Sequence, residues 1–142
     1  MVVGSANFIF DDTDIGGSAG YLKRIYTVVE NWRRVRGHIR VDYYEQFGDE
    51  VFEATYVIRA DCLEVDENER IAWIGGEVVY VTTNFGIPEV GWWIVNKVDD
   101  NDGGNPLNPD MHGSAWLIPE TCEDRPEPFF WDPSHRGKVV VR

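Results

Sequence analysis

Basic residues are scarce in this chain. Thirteen lysines and arginines face 25 aspartates and glutamates, which leaves a formal net charge of −12 over 142 residues and an isoelectric point near 4.5. A surface that negative repels phosphate backbones and anionic headgroups, so neither nucleic acid nor a membrane surface is an expected partner. No apolar run approaches the ~20 residues a membrane-spanning helix requires. The opening stretch, MVVGSANF, has neither the basic nor the long apolar region of a signal peptide, so the chain reads as soluble; a removed signal is compatible with it. Cysteine is limited to Cys62 and Cys122, with no CxxC pair. They are either two thiols or one disulfide, and a disulfide closing so long a loop stabilises by about 4 kcal/mol in the chain-entropy model. Histidine is limited to His38, His112 and His135, which show no metal-ligand spacing, and the motifs HExxH and GxSxG do not occur. There is no repeat of solenoid type and no low-complexity linker.

Apolar residues, by contrast, are plentiful. Hydrophobic side chains make up 43% of the chain and aromatics 13%, enough for the core of one domain. Their spacing is mostly of period two. In VFEATYVIRADCLEV, Phe52, Ala54, Tyr56, Ile58, Ala60 and Cys62 share one face, and Glu53, Thr55, Arg59 and Asp61 share the other. RIAWIGGEVVYVTT groups Ala72, Ile74, Val78 and Tyr80, and its Gly75-Gly76 pair predicts a bulge or a close backbone approach. With the polar turn EVDENER between them, residues 51 to 83 form a long hairpin. Ile39, Val41 and Tyr43 alternate with His38, Arg40 and Asp42 in another half-buried strand. ANFIF, GWWIVNKV and MHGSAWLI are further short strands, and KVVVR pairs at an edge or frays.

Two stretches resist this pattern. In GYLKRIYTVVENWRRVRG, Leu22, Ile25, Val29 and Trp32 have helical spacing, with arginines in the last turn and Gly37 beyond, but the β-branched run Ile-Tyr-Thr-Val-Val favours a strand. The strand is preferred. Residues 119 to 136 carry four of the seven prolines and are expected to form a long ordered loop. Many short strands with glycine-rich turns predict one all-β domain, an antiparallel barrel or sandwich.

The middle of the chain resembles a group of uncharacterised secreted bacterial β-proteins. The residues that carry the likeness are Cys62-Leu63-Glu64-Val65, Asn68, Ile71-Ala72, Ile74-Gly75-Gly76 and Val78. They resemble a Cys-x-x-Val-x-Gly-Asn turn that leads into an Ala-x-x-Gly-Gly strand. Further on, Val98 to Gly103, Pro109-Asp110 and Cys122 resemble that group's Asp/Asn-rich turn, Pro-Asp pair and second cysteine. The likeness spans roughly residues 37 to 122. Glu67 stands where the group has glycine, and neither the arginine-rich segment 23 to 36 nor the FFWDP tail has a counterpart. What the resemblance implies is an extracytoplasmic all-β domain with a Cys62–Cys122 disulfide; it implies no reaction.

Three sets of residues are candidates for chemistry. In DDNDGG, Asp99, Asn101, Gly104 and Asp110 match positions 1, 3, 6 and 12 of a calcium loop, but Gly103 occupies position 5, where Asp or Asn is expected. DDTDIGG supplies Asp12, Asp14 and Gly17 without a later acid. Turns by themselves favour Asp, Asn and Gly, so calcium is only a candidate cofactor. For catalysis, Tyr43, Tyr44, Tyr56, Trp93, Asp61 and His38 are the candidates if the barrel encloses a cavity. Ser114 and Ser134 each lie near a histidine, although loop histidines are ordinarily solvated and catalytic partners meet in space rather than in sequence. Finally, Trp92 and Trp93 must point to opposite faces of a strand. Phe129, Phe130 and Trp131 sit in a proline-rich stretch and either plug one end of the sheet or lid a pocket. These five aromatics are the candidate ligand-binding residues. The expected function is an extracytoplasmic binding or structural module for a small or carbohydrate-like ligand, with calcium stiffening residues 99 to 110. The alternative is a small barrel enzyme, a cyclase, isomerase or hydrolase.

Overall fold

The structure, a computed structural model, describes residues 1–11, 18–31, 34–101, 108–134 and 138–142, with the backbone alone at positions 7, 10 and 11. It is all-β. The strands are β1 (Val2–Asp11), β2 (Ala19–Asn31), β3 (Arg34–Phe47), β4 (Glu50–Asp66), β5 (Ile71–Thr83), β6 (Trp93–Asp99), β7 (Met111–Trp116), β8 (Phe130–Pro133) and β9 (Val139–Val141). They form one nine-stranded sheet in the order β8-β7-β6-β5-β4-β3-β2-β1-β9. Each strand from β1 to β7 pairs antiparallel with the next, and β9 returns to the free side of β1. The sheet curls into a half-barrel, which decides between the two expected architectures in favour of the barrel.

Alternation assigns the two faces. The concave face carries Val2, Ala6, Tyr26, Val28, Ile39, Val41, Ile58, Ile74, Ile94 and Val98, all buried in one apolar cluster. Segment 19–31 is a strand, and the competing helical spacing is incidental: Ile25 faces outward and Val29 is 46% exposed. Trp32, which completed that spacing, lies outside the described residues. The true inward series is Leu22, Arg24, Tyr26 and Val28, fixed by the register of β2 against β1 and β3.

The Gly75-Gly76 pair does both things its sequence suggests. The register of β4 on β5 slips where Ala60 pairs with Gly76 and Cys62 with Gly75. A Cβ on Gly76 would lie 2.0 Å from the Arg59 carbonyl oxygen, and one on Gly75 would lie 2.6 Å from Cys62 Sγ and 2.8 Å from the Trp93 ring. The slip turns Cys62 to the convex face, so it leaves the apolar series it heads in the sequence. There it forms a disulfide with Cys122, in a second, smaller cluster with Trp73, Val95, Trp93 and Ile118. Strand β6 is thereby buried on both sides.

The stretch 119 to 136 is less irregular than its prolines suggest. It contains a 3₁₀ turn over Cys122–Asp124 and the short strand β8, which pairs with β7. Strand β8 can end on Pro133 because it is an edge strand, where a missing N–H costs no ladder bond. The opposite edge, β9, is sealed by side chains. The N–H groups of Val139 and Val141 that point away from β1 donate to Asp110 Oδ2 at 2.9 Å and Asp100 Oδ2 at 3.2 Å.

Candidate functional site

A cavity of about 280 Å³ opens at one end of the half-barrel. Four strands supply its walls: Leu22 from β2, Tyr43 from β3, Ala54 and Tyr56 from β4, and Ile94 from β6. Phe85, Ile87, Pro88 and Trp92, from the connection between β5 and β6, fold over it, and Trp116 and Phe130 form the rim on the far side. Phe85 is fixed there by edge-on contacts with Tyr43 and Phe52, ring centroids 5.9 and 5.7 Å apart. A second chamber of about 310 Å³ shares Leu22, Arg24, Tyr43, Trp116 and Phe130 with the first and adds Glu45, Ser114 and Asp132. The first chamber falls just below the ~300–1,000 Å³ of small-molecule sites.

Polar groups converge where the chambers meet. Arg24 is 3% exposed, and its Nη1 contacts His112 Nδ1 at 2.5 Å while its Nη2 donates to Ser114 Oγ at 2.9 Å. An arginine can only donate, so His112 Nδ1 is the acceptor of that bond. Trp116 Nε1 also donates to Ser114 Oγ, at 3.2 Å. With two bonds accepted, the serine keeps its own proton to give. His112 is fully buried in β7, which corrects the expectation that it is a solvated loop histidine; the inward alternation His112, Ser114, Trp116 puts it there.

Burial sets the protonation of the neighbours. Desolvation pushes the Tyr26 and Tyr56 hydroxyls up, against the Arg24 charge, which draws both down. At neutral pH both are therefore uncharged rather than bases. Asp132 lies opposite His112 on β8, and burial raises its carboxyl above the usual aspartate range, with Arg24 again acting in the opposite direction.

The structure divides the residues expected from sequence. Tyr43, Tyr56, Trp92 and Phe130 meet around the cavity. Phe129 stands beside the rim, edge-on to Trp116 at 5.8 Å. The others lie on the convex side. His38 is exposed, and Tyr44 stacks on Tyr21 with centroids 5.8 Å apart. Asp61 pairs with Arg59 at 3.5 Å. Trp93 donates to the Glu120 carbonyl at 3.0 Å, and Trp131 lies 4.9 Å from Lys97 Nζ.

Of the expected calcium ligands, Asp99 and Asn101 sit at the end of β6 and Asp110 just before β7, while Gly103 and Gly104 lie outside the described residues, as do Asp12, Asp14 and Gly17. Asp110 holds the chain together at this point: its Oδ1 accepts the Asn101 N–H at 3.0 Å and its Oδ2 the Val139 N–H. Among the described residues no cluster of three or more His, Cys, Asp or Glu is arranged for a metal ion.

Sequence reasoning missed Arg24 and Asn96, both inside the barrel. Asn96 is fully buried on β6 between Ile74 and Ser114. The signal was available for both, as polar residues at inward positions of otherwise apolar strand faces. No family model, curated protein or solved structure matches the chain.

Proposed function

We propose that the protein is a binding module that holds a small, largely apolar molecule in the cavity at the mouth of the half-barrel. The observation that carries this reading is the cavity itself, walled by Leu22, Ala54, Ile94, Trp92 and Trp116 with the aromatic Phe130 at its edge. Such walls suit an apolar ligand better than a carbohydrate-like one, whose hydroxyls need many polar partners. The Cys62–Cys122 disulfide supports an oxidising, extracytoplasmic setting. No helix among the described residues is long and apolar enough to cross a membrane.

An enzymatic reading draws on the same polar groups, but their arrangement favours binding. Ser114 Oγ is held by Arg24 and Trp116, not by a general base, and burial pushes the Tyr26 and Tyr56 hydroxyls further from ionisation. The test is titration with a neutral fluorescent apolar probe, N-phenyl-1-naphthylamine. Saturable binding is expected, and Leu22→Trp, which fills the shared wall of the two chambers, should weaken it at least ~10-fold, as loss of the probe's apolar contacts requires. Absence of saturable binding to the folded protein would overturn the proposal.

A further inference from the structure

Arg24 carries a charge that the barrel does not neutralise at contact distance. Its two contacts, His112 Nδ1 and Ser114 Oγ, are both to uncharged acceptors, and its Nε has no hydrogen-bond partner. Among the described residues no carboxylate comes within ion-pair distance of it. Asp132 attracts it only from further away. A buried charge without a partner is costly, and natural interiors hold one chiefly where something completes it. Arg24 also lines both chambers, so a molecule held in either lies against it.

We infer that the ligand is an amphipathic anion, an apolar body with a carboxylate head, seated head-inward on Arg24. This rests on the proposed function and narrows it. A carboxylate fits because its two oxygens match the planar guanidinium donors and can also take the proton that Ser114 has left to give. Trp116 Nε1, already bonded to Ser114 Oγ, holds that hydroxyl in place. The apolar body then lies along Leu22, Ile94 and Trp92 towards the Phe130 rim.

The test compares two competitors of equal chain length, decanoate and decanol, for displacement of N-phenyl-1-naphthylamine from the whole protein at pH 7.5. Decanoate is expected to displace the probe at a concentration about 10-fold lower or less, the usual advantage of a charge-assisted hydrogen bond. In Arg24→Met, or in Arg24→Gln if the former does not fold, the ratio of decanol to decanoate needed for displacement should fall to about one, whatever the affinity of that variant for the probe itself. Equal competition by acid and alcohol in the wild type would overturn the inference and leave the proposed function standing, as would an advantage that persists in a folded Arg24 variant. No probe binding at all removes the proposed function itself.

Discussion

A carboxyl group whose folded pKa is raised works against folding while it is ionised, and Asp132 is such a group. Burial favours its neutral form in the native protein, whereas the unfolded chain ionises it at the ordinary aspartate pKa of about 3.9. Stability from this site is therefore withheld at neutral pH and recovered as pH falls through the raised value. Among the described residues, Arg24, His112 and Glu45 are charged or titratable groups around it, and the Arg24 attraction offsets the cost of burial only in part. Asp132→Asn is expected to raise the melting temperature at pH 7, with the gain shrinking to nothing below about pH 3.5, where aspartate is protonated in both states. Thermal melts of the two proteins across that range check it, and a gain that does not depend on pH would exclude the titration as its cause. Single residues such as these were the hardest part of the site to read in the sequence. Arg24 and His112 look like surface residues in any composition-based reading, because a polar side chain is buried only where its strand register demands it. Tyr43 and Tyr56 were legible because they continue the inward alternation of β3 and β4, and Trp92 because neighbouring strand positions face opposite ways, which sends Trp93 to the convex side.

Strands were more legible than sites. The hairpin of β4 and β5, the slip at Gly75-Gly76 and the inward series of β3 follow from alternation, since one buried face leaves a period of two in the sequence. Strand β2 concealed its own period by placing Arg24 in the inward series, and β8 concealed itself among prolines. The acids before β7 show why DDNDGG and its surroundings were ambiguous: turn chemistry, calcium ligation and edge sealing all call for aspartate. Here Asp110 bridges Asn101 and β9. Removing it strips a buried N–H of its charged acceptor, so Asp110→Ala should cost about 1.5–3 kcal/mol in denaturant unfolding. Amide exchange at Val139 should accelerate with it. The loss is expected to be the same in calcium and in chelator. A wild-type melting temperature that rises in calcium would instead give this turn a cation to hold, because a ligand bound only to the native state stabilises it.

At the scale of the whole molecule, the net charge of −12 and the buried guanidinium of Arg24 act on an anionic ligand in opposite directions. The field of the whole protein repels the anion during its approach, and Glu45 and Asp132, which line the second chamber, add to that repulsion. Arg24 attracts it only once it is inside, where water and salt ions hardly penetrate. Added salt screens the first interaction far more than the second, the Debye length being about 10 Å at 0.1 M. The association rate of decanoate should therefore rise with sodium chloride between roughly 0.02 and 0.2 M while its dissociation rate stays nearly constant, and decanol should show neither change. The sign is opposite to that of an ion pair formed on an exposed basic surface, where salt weakens binding. Stopped-flow displacement of the fluorescent probe measures both rates. If decanoate binding weakened with salt, the attraction would have to act outside the barrel, and Arg24 would not be the group that reads the head.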